Sequence, residues 1–109
     1  MKTTLTVPKW SRTSSGYVEN GTLDLICHFK AYGLAITESV DGGPKYVVTH
    51  INTGAKIFAF TKKAYAKECI IRLSNLNIDY TAIQEYKNLQ NVIKVISPVI
   101  FAMRNEGYL

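Results

Sequence analysis

The stretch "GGPKYVVTHINTGAKIFAFTKKAYAKECIIRL", residues 42–73, limits the possible folds more than any other part of the chain. "KYVVTHI" at 45–51 and "AKIFAF" at 55–60 are dense in β-branched and aromatic residues, as strands are. "NTG" at 52–54 fits a hairpin connection with Gly54 in the left-handed conformation. Upstream, "LAITESV" at 34–40 reads as a strand and "DGGP" at 41–44 as a turn. Links this short cannot carry a parallel crossover, so the three strands are expected to form an antiparallel meander.

Thr61 is placed to cap a helix running to about Leu76, with Ala66, Cys69, Ile70 and Leu73 on one apolar face. "SNLNID" breaks it. Asp79 or Thr81 then caps a second helix bearing Ile83, Tyr86, Leu89, Ile93 and Ile96. Ser97-Pro98 reads as a new cap with proline at the first helical position, so a third helical segment over 98–105 is expected, closed by Gly107. Residues 22–32 carry two signals. Thr22 and Gly33 bracket a helix over "LDLICHFKAY", whereas the alternation of Leu23, Leu25, Cys27 and Phe29 fits a strand. The helix is the reading adopted. Residues 1–21 sustain no period and read as a basic, partly ordered arm preceding a single α+β domain over 22–109. The expected fold is therefore α+β: a small three-stranded antiparallel meander packed against helices, with a C-terminal helical pair.

The net charge of +5 is unevenly spread. Residues 1–21 carry Lys2, Lys9 and Arg12 against Glu19, giving +2; residues 61–76 carry Lys62, Lys63, Lys67 and Arg72 against Glu68, giving +3; the rest balances. Clustered positive charge points to an anionic partner. Signals for catalysis are weak. No phosphate-cradling glycine loop, nucleophile elbow or paired-carboxylate spacing is present, and Cys27, His28, His50 and Cys69 lack the paired spacing of a zinc site. The expectation is a protein without catalytic residues, metal or cofactor. Cys27 and Cys69 sit in apolar runs and read as reduced thiols of a cytoplasmic protein. No apolar stretch is long enough to span a bilayer, so no membrane partner is expected.

Lys62 and Lys63 stand where a helix begins, and there positive charge opposes the helix dipole at roughly 0.3–1 kcal/mol per exposed side chain. Lys63 and Lys67 are also a like-charge i,i+4 pair. On a helical wheel these two share a flank, and Lys62 lies nearer the core side. Backbone N–H groups at a helix start already bind anions, so lysines added there strengthen a phosphate site.

A helix, a three-stranded meander and a helix opening with "TKKAYAK" together resemble the double-stranded RNA-binding domain over residues 22–76. The residues that carry the likeness are Gly43-Pro44 in the first strand connection and Lys62, Lys63 and Lys67 at the last helix. The resemblance implies a loop reaching the minor groove and a helix start gripping phosphates across the neighbouring major groove. The expected function is thus a small non-enzymatic module contacting nucleic-acid phosphates, RNA or DNA, through Lys62, Lys63 and Lys67, helped by Lys45 and by Lys9 and Arg12 of the arm. The alternative is an accessory protein, in the general style of phage and mobile-element products. It would bind or inhibit a protein partner, such as a nucleic-acid-handling complex, through its hairpin and C-terminal helices. "VIKVISPVIFAM" at 92–103 is apolar over more than one helix face, which fits core packing or a homodimer surface.

Overall fold

The computed structural model describes residues 2–108. Its elements run β1 (Thr3–Thr13), β2 (Gly16–Ala31), β3 (Leu34–Glu38), β4 (Tyr46–His50), β5 (Lys56–Phe60), α1 (Lys63–Ser74), a short 3-10 turn (Tyr80–Ala82) and α2 (Tyr86–Asn105). The class is α+β, but the sheet is five-stranded, ordered β1-β2-β3-β4-β5 and antiparallel throughout, not a three-stranded meander.

Two expectations fall together. Residues 1–21 are not an arm: β1 occupies Thr3–Thr13, and β2 begins at Gly16 and pairs with it from Thr13↔Gly16 to Thr3↔Cys27. Residues 22–32 are not a helix. Gly33 does not end one; with Tyr32 it makes a two-residue hairpin turn between the paired Ala31 and Leu34. Both turn residues have positive φ, 60° for Tyr32 and 82° for Gly33, the backbone that matches the twist of antiparallel strands.

The sheet is buried on both faces in its middle. Leu34, Ile36, Val48 and Phe60 face the helices and join Ala66, Cys69, Ile70 and Leu73 of α1 and Ile96 and Met103 of α2 in one core. The alternate residues Ala35, Thr37, Val47 and Thr49 point the other way and are equally buried. The long β1–β2 hairpin covers them. It bends at an irregularity between Cys27 and Phe29 and curls back across the sheet. Val7, Leu25 and Cys27 are buried beneath it, and Val7 and Pro8 lie against Gly54 of the β4–β5 turn. Trp10 and Tyr17 stack on Tyr86 at the start of α2, with ring centroids 6.2 and 4.5 Å away.

The C-terminal helical pair is one helix. α2 runs through Pro98 without a break. Proline there removes one intrahelical hydrogen bond, the one to the Lys94 carbonyl. The loss is tolerated because Ile96 before it and Met103 after it are anchored in the same core. Asp79 caps only the 3-10 turn, accepting from the Thr81 N–H at 3.1 Å. That turn is held at the far end of the sheet. His50 Nε2 donates to the Tyr80 carbonyl at 2.7 Å, and the Thr53 hydroxyl donates to Nδ1 at 2.8 Å. The carbonyl can only accept, so His50 carries its proton on Nε2.

Candidate nucleic-acid interface

α1 begins one residue later than expected. Its N-cap is Lys62, whose side chain has no acceptor atom, and the first turn holds no acidic residue. Its first backbone bonds run from Tyr65 and Ala66 to the Lys62 carbonyl, leaving the Lys63 and Ala64 N–H groups at an open helix start. Lys62 is exposed and lies over the Tyr65 ring, 5.3 Å from its centroid. Lys63, not Lys62, is the half-buried one of the pair. Only Thr61 and Lys62 separate Phe60 at the end of β5 from α1, and Lys62 has extended backbone.

The sheet brings Lys45 to the same place. Tyr46 pairs with Phe60, so Lys45 lies across from Thr61 and beside Lys62. Its ammonium rests 5.5 Å from the Tyr46 ring centroid. Lys67, one helical turn further on, bends over Phe29 of β2 at 5.0 Å and so marks the flank of this cluster, not its centre. Ring contacts of this kind contribute about 0.5–1 kcal/mol at exposed sites, enough to orient a lysine without neutralising it.

A further cation joins from β1. The register Thr3↔Cys27 sets Lys2 across from His28, and Cys27↔Thr37 sets Glu38 diagonally beside that pair. Lys2 Nζ lies 3.5 Å and His28 Nε2 2.8 Å from Glu38 Oε2. The His28 hydrogen bond, reinforced by the charges of Lys2 and Lys45, holds the Glu38 carboxyl below the usual carboxylate range, so it stays ionised at neutral pH. Lys2, Lys45, Lys62 and Lys63 against Glu38 leave this end of the sheet at +3. Lys2 is a member of this basic cluster that sequence reasoning missed, because only the β1–β2 register delivers it.

Lys9 and Arg12 are not brought to this cluster. Lys9 lies beside Thr53 and Gly54, and Arg12 pairs with Tyr17 near the hairpin tip that packs on Tyr86. Both are at the opposite end of β4, about 15 Å away at 3.4 Å per strand residue. Arg72, counted in the charge of residues 61–76, is also elsewhere. It is clamped by Glu106 through two bonds of 2.7 and 2.8 Å and by Glu68 at 2.7 Å.

The remaining reactive side chains are packing elements. Burial pushes the Cys69 thiol up to about 12, far from a thiolate at neutral pH. His50 has both ring nitrogens engaged by Thr53 and Tyr80. Among the described residues no group of three or more His, Cys, Asp or Glu side chains is placed to hold a metal ion, and no helix is long and apolar enough to cross a membrane. Comparison with known proteins finds no family model, no curated protein and no solved structure that matches the chain. The element order differs from what the RNA-binding resemblance implied, since residues 22–31 belong to β2.

Proposed function

We propose that the protein binds nucleic-acid phosphates at the lysine-bearing end of its sheet. The observation that supports this is the convergence of Lys45, Lys62 and Lys63 on a helix start with no capping side chain and no acid in its first turn. Such a start presents free N–H donors and a positive dipole end, and the lysines add mobile charge around it. In the isolated protein this arrangement is electrostatically unfavourable; a bound phosphate adds attraction to each lysine and to the helix start that offsets those repulsions. Lys2 and Lys67 extend the surface to either side. Lys9 and Arg12 play no part in this face.

The test is an electrophoretic shift at low salt on single-stranded and duplex RNA and DNA. Lys62→Glu with Lys63→Glu should abolish retention of the bound probe and leave the fold intact, because acidic residues suit a helix start. Lys9→Glu with Arg12→Glu makes the same change in net charge and should leave retention largely unaltered. Equal loss in both double variants would mean that total charge, not this site, carries binding.

A further inference from the structure

Two strands of the sheet have a free edge, β1 and β5. β1 is blunted as natural edges are, by Pro8, by the flanking Lys2 and Lys9, and by an irregularity between Pro8 and Trp10. β5 is not. After an unpaired Ile57 its pairing with β4 is regular through Phe58, Ala59 and Phe60, without a charge or a proline. Its one lysine, Lys56, is occupied by Asp41 at 2.5 Å.

Beside this edge runs an apolar trough. One cavity of about 270 Å³ lies between Ile57 and Phe58 of β5 and Ile93, Ile100 and Phe101 of α2. A second, of about 340 Å³, continues past Phe58 and Phe60 to Pro44 and Thr61. Arg104 borders both. Phe101 is 64 % exposed and lines the first cavity, an unusual place for a large aromatic with nothing upon it.

We infer that this trough takes an extended segment of a partner protein, laid along β5 as an added strand, with apolar side chains on the face toward the trough and a carboxylate on that same face at its Arg104 end. The strand form follows from the open edge, which offers main-chain donors and acceptors to a passing chain. The apolar side chains follow from the trough lining, which a nucleic acid does not fill. The carboxylates follow from charge. Arg104 makes no ion pair among the described residues, no lining residue of either cavity is acidic, and Pro44 and Thr61 are the immediate neighbours of Lys45 and Lys62. The same charges disfavour a second copy of this chain. The β5 segment of such a copy, Lys56–Phe60, carries no carboxylate to meet Arg104. The anchor residues, Phe58, Phe101 and Arg104, are outside the lysine cluster, so their variants test this inference separately from the nucleic-acid reading.

The experiment is a display selection of the full-length protein against random nine-residue peptides, followed by anisotropy titration of the enriched peptides. Enriched sequences should carry apolar residues at every second position, with Asp or Glu at one end of that same series. Phe101→Lys and Arg104→Glu, both at exposed positions and so compatible with folding, should each weaken their binding at least tenfold. Ala59→Pro, which removes an edge N–H, should do the same where circular dichroism shows the fold retained. No enrichment, or peptides that bind the Phe101 and Arg104 variants as well as the unaltered protein, would overturn the inference. So would a dimer in sedimentation velocity that Phe101→Lys dissolves, because the occupant would then be a second copy.

Discussion

Replacing Gly54 by alanine tests how the hairpin closes over the sheet. Gly54 has φ +72°, a conformation that costs an L-residue roughly 1 kcal/mol. A second cost comes from packing. An alanine Cβ would overlap the Pro8 carbonyl oxygen, far inside van der Waals contact, with the Val7 side chain only 3.1 Å away. Pro8 is backbone in the middle of β1, and Val7 is 1 % exposed, so neither can yield without shifting the hairpin. Overpacking of this kind adds about 1–3 kcal/mol. The sum is about 2–4 kcal/mol, or roughly 8–16 °C of melting temperature at some 4 °C per kcal/mol for a chain of this size. Gly42→Ala is the control. Gly42 has φ +81° but open space where a Cβ would stand, so it should lose only the backbone cost, about 4 °C. Thermal unfolding followed by circular dichroism and by fluorescence of Trp10, the only tryptophan, reads both variants. If Gly54→Ala melts with Gly42→Ala, the β1–β2 hairpin does not rest on the β4–β5 turn and the closure described above is wrong.

His50 gives a pH signature. Burial lowers its pKa from the ordinary 6.5, outweighing the opposite pull of the Tyr80 carbonyl. Above pH 6.5 the ring is neutral folded or unfolded and stability is fully present; as pH falls below 6.5 the unfolded chain takes up the proton first, and stability drops by at most about 1.4 kcal/mol per unit. Urea midpoints should fall from pH 7.5 to 5.5, and His50→Gln should flatten that part of the curve; equal midpoints in the unaltered protein would contradict the buried neutral ring. Cys27 and Cys69 lie on opposite faces of the sheet and should titrate as two thiols under denaturing, non-reducing conditions, yet react in the native protein only as fast as it opens. A count of zero would mean a disulfide that this topology forbids.

The meander of β3, β4 and β5 was legible because its signals agree: β-branched residues in both strands around "NTG", and a glycine where the turn needs positive φ. β2 was half legible. The alternation of Leu23, Leu25, Cys27 and Phe29 was the true signal, and Thr22 and Gly33, which imitate helix caps, competed with it. β1 was hidden because only one of its faces is covered and its bulge breaks the alternation at Pro8. Pro98 misled in the opposite direction, since the core on both sides of it outweighs one lost hydrogen bond. The nearness of Lys45 to Lys62 and Lys63 could be found from sequence, because a short hairpin places the start of β4 beside the end of β5. Lys2 could not, nor could the removal of Lys9 and Arg12 to the other end, because both depend on the curl of the β1–β2 hairpin.

The salt dependence of binding tests phosphate recognition most directly. Three lysines releasing counterions from a duplex should give a slope of log affinity on log salt of about −2.7, a loss of about 40-fold between about 50 and 200 mM. The measurement is anisotropy of a labelled RNA or DNA duplex across that range, for the unaltered protein and for Lys45→Gln, Lys62→Gln and Lys63→Gln combined. The slope should collapse toward zero in the triple variant. Absence of binding at 50 mM, or a slope that the three substitutions leave unchanged, would contradict the proposal.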